Sequence, residues 1–233
     1  MKNLRLAVFD CDGTLVDSQH SIIATMTATF ERYNHTPPNA SSIRRVIGLP
    51  LIQCISILLP GSDQVEYDKM AETYKKLFHE ERIAGNMNEP LFPGTIETIE
   101  NLADAGWLLG VATGKAMRGL KATLEPYDLL KHFITMQTAD IAQGKPNPDM
   151  LYRAISETGV MASDTVMIGD TTFDIEMACN AGIKSIGVSW GYHPTEELLE
   201  AGADRIIGDF HELPLALETI IQDKTEEQSE NVG

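Results

Sequence analysis

Short apolar runs alternate with stretches of helical spacing along most of the chain. Residues 4–9 are apolar and β-favouring and stop at Asp10-Cys11-Asp12-Gly13, which predicts a buried strand ending in a turn. The same strand-and-polar-stop pattern recurs downstream. Residues 107–112 end at Thr113-Gly114-Lys115, residues 133–137 lead into a loop carrying Gly144-Lys145-Pro146, and residues 165–168 end at Gly169-Asp170. Residues 185–189 and 205–207 are two further apolar runs.

Between these runs the period changes. Residues 95–105 place Ile96, Ile99, Leu102 and Ala103 on one helical face; residues 148–158 do so with Leu151, Ala154 and Ile155, with Pro148 suited to the first turn. Residues 173–181 put Ile175, Ala178 and Cys179 on a common side. Alternating strand and helix predicts an α/β fold, a Rossmann-like parallel sheet covered on both faces, with ligands bound beyond the carboxyl ends of the strands. The alternation fails between residues 17 and 90. There Ile22, Ile23, Met26, Phe30 and Tyr33 follow helical spacing, as do Met70, Tyr74, Leu77 and Phe78, and residues 51–59 form a third apolar segment stopped by Pro60-Gly61. The expected division is a core of residues 1–16 and 91–222, an inserted α-helical cap of 17–90, and a polar, disordered tail of 223–233.

Composition narrows the function classes. With 43% hydrophobic residues in 233 there is material for a filled core without disulfides. Eighteen Lys plus Arg against 34 Asp plus Glu give a net charge of −16, and no basic cluster longer than a pair exists, so nucleic acid and anionic membranes are excluded as partners. An anionic substrate would need a locally positive site built from a metal, lysine and backbone N–H groups. Cys11, Cys54 and Cys179 are scattered and show no metal-type spacing, which predicts reduced thiols in a cytoplasmic protein. The first apolar run is too short for a signal peptide, and none approaches the roughly 18 residues of a membrane span.

The polar stops carry the candidate chemistry. Asp10 and Asp12 lie two apart at a strand end, so an extended backbone sends both side chains to one side. Such a pair suits a hard cation, or a nucleophile with a proton shuttle; the plain structural reading is a solvated acidic turn. Asp170 and Asp174 are a second pair, one helical turn apart, which can share the same mouth or merely cap and charge a helix start. Thr113 and Gly114 offer a hydroxyl and open backbone N–H groups at a strand-to-helix turn, and Lys145 is a cation on a constrained loop. Together they supply what phosphoryl transfer requires: a nucleophile, charge neutralisation and a second acid.

The run Asp10-Cys11-Asp12-Gly13-Thr14-Leu15-Val16-Asp17-Ser18 resembles the first motif of the haloacid dehalogenase superfamily. Thr113 resembles the second motif, Lys145 in Gly-Lys-Pro-Asn-Pro-Asp the third, and Gly169-Asp170-Thr171-Thr172-Phe173-Asp174 the fourth. The insert resembles the helical cap of the subfamily containing phosphoglycolate phosphatase. This resemblance implies Mg2+ held by Asp10, Asp170 and the Asp12 backbone carbonyl, with Asp174 behind Asp170. It implies Asp10 as nucleophile, Asp12 as general acid/base, and Thr113, Gly114 and Lys145 on the transferring phosphoryl group. Asp17 and Ser18 fall where the chain enters the cap, close to the site mouth.

Among members of such a superfamily, Asp12 argues against dehalogenation, which the resemblance associates with lack of this carboxylate. The absence of lysine from residues 48–53 argues against Schiff-base phosphonate hydrolysis. A phosphatase acting on a small phosphate ester, with phosphoglycolate first, is the expectation; a sugar phosphomutase and a non-catalytic binding protein of the same fold are the alternatives. Arg44 and Arg45 are candidates to meet a second anionic group, with Gln19, His20 and Gln53 as further cap-side candidates. Cys11 is expected in the core, and His193 in a loop near the site rim. The oligomeric state stays open.

Overall fold

A computed structural model describes residues 4–230, with side chains through position 222. Six strands, β1 (Arg5–Phe9), β2 (Trp107–Thr113), β3 (Phe133–Thr138), β4 (Thr165–Gly169), β5 (Lys184–Val188) and β6 (Arg205–Ile207), pair in parallel in the order β3-β2-β1-β4-β5-β6. The chain therefore starts in the middle of the sheet and winds outwards both ways, so β1 is the topological switch point. Phe9 is in register with Val111 on one side and Ile168 on the other. That register brings the ends of β1, β2 and β4 abreast.

Period-two alternation sorts the side chains between two faces. Leu6 and Val8 pack with Leu151, Met167 and Met177; Ala7 and Phe9 pack with Val111, Ile168, Phe210 and Leu217. Cys11 is fully buried in the second of these clusters, as its alternation predicts. Trp107 is buried at the start of β2, and the Arg5 guanidinium lies 4.4 Å from its ring centroid.

Four helices, α1 (Gln19–Arg32), α2 (Ala40–Arg44), α3 (Leu51–Leu58) and α4 (Gln64–Ile83), follow β1 without an intervening strand. They bury a separate cluster that includes Ile22, Met26, Phe30, Ile43, Ile55 and Met70. Two threonines on the buried face of α1 satisfy their hydroxyls within the helix: Thr25 donates to the Ser21 carbonyl at 2.8 Å and Thr29 to that of Thr25 at 2.7 Å. At the start of α2 the Asn39 side chain accepts from the Ser42 N–H, and Asp63 does the same for Glu66 in α4. The chain enters and leaves this helical lobe through a two-stranded stem. There Asp17 N–H donates to the Pro90 carbonyl at 2.8 Å and Phe92 N–H to that of Leu15 at 3.0 Å.

The sheet is flanked by α5 (Thr95–Asp104), α6 (Met117–Leu124), α7 (Asp149–Thr158), α8 (Thr172–Ala181), α9 (Thr195–Glu200) and α10 (Leu213–Glu230). Several local expectations are corrected. The buried face of α5 is Thr95, Thr98, Ile99 and Leu102, which leaves Ile96 exposed. In α8 Met177 is buried where Cys179 was expected, and Cys179 is exposed. Pro148 caps α7 from outside rather than filling its first turn. The short helices α2, α6 and α9 have no counterpart in the apolar pattern. The backbone of α10 continues through Glu230, where a tail was expected from 223, because no Gly or Pro interrupts it after Pro214. Positions 231–233 lie outside the described residues. Among the described residues no helix is long and apolar enough to cross a membrane.

Candidate active site

Asp10 follows the last residue of β1, Thr113 is the last of β2, and Asp170 follows the last of β4. Because these three strands are adjacent, the ends meet, and loops from β3 and β5 bring in Lys145 and Tyr192. Asp10, Lys145, Asp170 and Asp174 are each at most 1% exposed. Lys145 Nζ lies 2.8 Å from Asp10 Oδ1 and 2.5 Å from Asp174 Oδ1. Both are charge contacts without hydrogen-bond alignment, and both Asp10 oxygens lack a hydrogen-bond partner among the described residues.

Asp170 is tied down on both oxygens. The Thr14 hydroxyl donates to Oδ1 and the Tyr192 N–H to Oδ2, each at 2.9 Å. Gly13, between Asp12 and Thr14, makes room for it: its φ is +89°, and a Cβ there would stand 2.2 Å from Asp170 Oδ2. Asp174 fills both roles its position suggested. Its Oδ2 accepts from the Thr171 N–H at 3.0 Å and the Thr171 hydroxyl at 2.7 Å, forming the capping box of α8, while Oδ1 faces Lys145.

Like charges crowd this cluster. Three carboxylates against one ammonium leave two formal negative charges in a buried cluster. Burial pushes the Asp10 carboxyl up to about 7, with Lys145 opposing and Asp174 adding to the rise. Asp170 is raised well above the carboxylate range by burial, then by Asp10 and Asp174. Against the burial that disfavours its charge, Lys145 is held above its ordinary value by Asp10 and Asp174. Asp10, Asp170 and Asp174 each offer an oxygen within 4.8 Å of the other two. An all-oxygen, electron-rich set with unpaired lone pairs fits a hard divalent cation.

The side chain of Asp12 faces a different set. Ser18 donates its hydroxyl to Asp12 Oδ1, and Lys115 Nζ reaches the same oxygen at 2.6 Å. Glu89, at the stem, stands 3.8 Å from that ammonium, and the Phe78 ring centroid 5.5 Å from it. Although burial opposes its charge, Asp12 and Glu89 hold Lys115 above the usual lysine value. Thr113 is buried, and its Oγ1 accepts from the Lys115 N–H at 3.2 Å. Gly114 touches the helical lobe: a Cβ there would lie 2.7 Å from the Gly48 carbonyl oxygen and 2.8 Å from that of Leu49.

A cavity of about 620 Å3 opens between these strand ends and the helical lobe, with Asp10, Asp12, Thr113, Gly114 and Lys115 on its floor. Four of the expected lobe-side residues do not line it, and neither does Gln53. Arg44 donates to Gln19 at 2.8 Å, Arg45 pairs with Glu197 at 2.6 Å, and His20 is exposed. Asp17 accepts from the Gln19 amide at 3.0 Å. His193 is buried at the junction of sheet and lobe, where its Nδ1 accepts from the Thr172 N–H at 3.2 Å and its Nε2 faces the Arg45 carbonyl at 3.3 Å. Burial, and then Arg45, lower its pKa below the usual histidine value. Sequence reasoning did not single out Thr14, Glu89 or Tyr192, and treated Lys115 only as part of a turn. Of these only Lys115 carried a signal, its place beside the Thr-Gly stop.

The profile of the family described as "Haloacid dehalogenase-like hydrolase" matches residues 7–188. The "Probable phosphatase IndB" of Dickeya dadantii is 34% identical over 93% of this chain and 95% of its own. A "Phosphoglycolate phosphatase" of Vibrio parahaemolyticus is 27% identical over 91% of this chain and 95% of its own. The crystal structure of a hydrolase from Pseudomonas syringae superposes with a TM-score of 0.82 at 24% identity, covering 93% of this chain and 99% of that one, a likeness of fold.

Proposed function

The chain belongs to the haloacid dehalogenase-like hydrolases, and we propose that it is a magnesium-dependent phosphatase that takes the phosphoryl group of a small phosphate monoester onto Asp10. The observation that carries this reading is the state of Asp10 itself. A carboxylate buried at the switch point, with neither oxygen hydrogen-bonded among the described residues and a lysine at 2.8 Å, is placed to attack rather than to hold structure. The relatives' names agree with it.

Asp10, Asp170 and the Asp12 backbone carbonyl would hold Mg2+, with Asp174 behind them. Once bound, the ion supplies positive charge that lets a carboxylate approach an anionic phosphate. Lys145 contributes a second positive charge, and the Thr113 hydroxyl and Gly114 N–H orient the phosphoryl oxygens. An Asp10 oxygen forms a bond to phosphorus as the bond to the leaving oxygen breaks, and Asp12 gives its proton to that oxygen. Asp12, now a carboxylate, then takes a proton from a water whose oxygen attacks phosphorus, and Asp10 departs as its free carboxylate. Ser18 and Lys115 aim the Asp12 side chain for both transfers. The helices between the two stem strands act as a cap that excludes bulk water from the phosphoenzyme.

The test is phosphate release from a panel of monoesters, with Mg2+ and with EDTA, by wild type and Asp10→Asn. Release that needs the metal and disappears in the variant is the expected result. A folded wild type that releases nothing from any monoester refutes the proposal.

A further inference from the structure

The floor of the cavity is polar, whereas its wall on the side of the helical lobe is mostly apolar. From the helical lobe, Met26, Ile43, Val46, Ile47, Tyr74 and Phe78 face the space above Asp10 and Asp12. Tyr74 and Phe78, both of which line the cavity, stack on each other with centroids 5.6 Å apart and planes 25° from parallel. The volume falls in the range of sites that enclose a drug-sized organic ligand. It is far more than a two-carbon acid attached to phosphate would fill.

The cations decide what the wall can accept. Of the cations that line the cavity, Lys115 and Arg82 reach it from partly shielded positions, and both are already matched. Lys115 contacts Asp12 and Glu89, and Arg82 contacts Glu89 at 2.5 Å and the Ala122 carbonyl at 3.1 Å. The remaining basic residues of the lining, Lys75, His79 and Arg118, are exposed at the mouth. A second anionic group on the leaving side, such as the carboxylate of phosphoglycolate or the far phosphate of pyrophosphate, would therefore rest against apolar side chains and close to Asp12. Such a charge is costly without a partner. An apolar group in the same place gains from leaving water.

Resting on the phosphatase reading of this site, we propose that the substrate is a phosphate monoester whose leaving group is an apolar ring or chain, seated against Tyr74 and Phe78. Three esters and one anhydride test this in the presence of Mg2+: 2-phenylethyl phosphate, ethyl phosphate and phosphoglycolate, with pyrophosphate as the anhydride. The first two leave as primary alcohols of similar acidity, so a difference between them reports binding rather than leaving-group chemistry. The expected result is a kcat/KM for the phenylethyl ester between about tenfold and a hundredfold above that for the ethyl ester, the gain of burying one ring. Phosphoglycolate and pyrophosphate should fall below the phenylethyl ester. Phe78→Ala should shrink the phenylethyl-to-ethyl ratio.

Equal kcat/KM for the phenylethyl and ethyl esters overturns the inference, as does phosphoglycolate or pyrophosphate as the best substrate; in each case the phosphatase reading survives. A ratio unchanged in a folded Phe78→Ala protein overturns the proposed seat; should that variant not fold, the wild-type series decides alone. Where the folded wild type releases no phosphate, it is the phosphatase reading that fails. Calorimetric titration of Asp10→Asn with the two alkyl esters then judges the cavity: tighter binding of the phenylethyl ester sustains the inference, and equal affinity ends it.

Discussion

The floor and the wall of the cavity are built by different means. The floor and the charge cluster beside it are made at and just beyond strand ends, where hydrogen bonds and ion pairs fix the side chains: Asp170 accepts from Thr14 and Tyr192, and Asp174 accepts from Thr171 and pairs with Lys145. The wall is made mostly of apolar side chains from the helices of the lobe and the turn after α2, and it belongs to a separate apolar cluster. A charge array in low dielectric cannot lose a member without leaving another uncompensated. An apolar surface can exchange one hydrophobe for another at small cost. On the proposed function, reaction chemistry would fall to the rigid half and substrate choice to the adaptable half.

That contrast can be broken or sharpened by substitution. The largest effect is expected from Asp12→Asn, which keeps the shape and removes the proton shuttle: kcat should fall by about 10²- to 10⁴-fold with the fold intact, read by phosphate release beside circular dichroism. Lys145→Met should next cost roughly 3–5 kcal/mol of stability by urea denaturation without metal, because it strands buried carboxylates. Asp170→Asn tests the same array with opposite sign. It relieves repulsion, so the melting temperature measured in EDTA should rise above that of wild type while activity and the stabilisation by added Mg2+ are lost. A fall in melting temperature would mean that the three carboxylates do not oppose one another.

Smaller effects are expected where the two halves touch. Gly114→Ala drives a methyl into the Gly48 and Leu49 carbonyls, which should cost about 1–3 kcal/mol and lower kcat/KM by displacing the lobe. His193 gives the smallest. Its pKa is lowered in the folded protein, so the unfolded chain binds more protons in acid. Its stabilising contribution should be complete above about pH 6.5, the ordinary histidine value, and fade as pH falls below it. Urea midpoints of wild type and His193→Gln should therefore converge between pH 7.5 and pH 5.5.

The sequence made the sheet and the floor legible because both depend on local patterns. An apolar run stopped by Asp, Thr-Gly or Gly-Asp marks a strand end; of the residues at these stops Asp10, Asp12, Thr113 and Gly114 line one cavity, while Asp170 and Asp174 cluster with Asp10 outside its lining. Lys145, on a loop, was legible only through its glycine and proline neighbours. The wall was less legible. Arg44 and Arg45 stand out in a sequence as the charges of an apolar segment, yet α2 is so short that its rotation follows from packing on Ile43, which turns both guanidiniums to other partners. The ion pair of Lys115 with Asp12 joins residues 103 apart in the chain, and nothing local announces it. Thr98 in α5 and Met177 in α8 show the same limit on a finer scale, since a threonine or a methionine can take a buried position that an isoleucine or cysteine elsewhere in the helix gives up.

The stem has a consequence of another kind. Asp17 and Pro90 are hydrogen-bonded neighbours, and Val16 bridges Leu91 in antiparallel fashion, so more than seventy residues leave and rejoin the sheet through one narrow doorway. To the strands on either side, that whole excursion is equivalent to a turn. Closing the long excursion costs only a little more chain entropy than closing a short loop in its place would, since the dependence on length is logarithmic. The lobe is therefore a cassette: a lineage, or an engineer, can exchange it to change what the enzyme admits while the hearth of the reaction stays lit beneath.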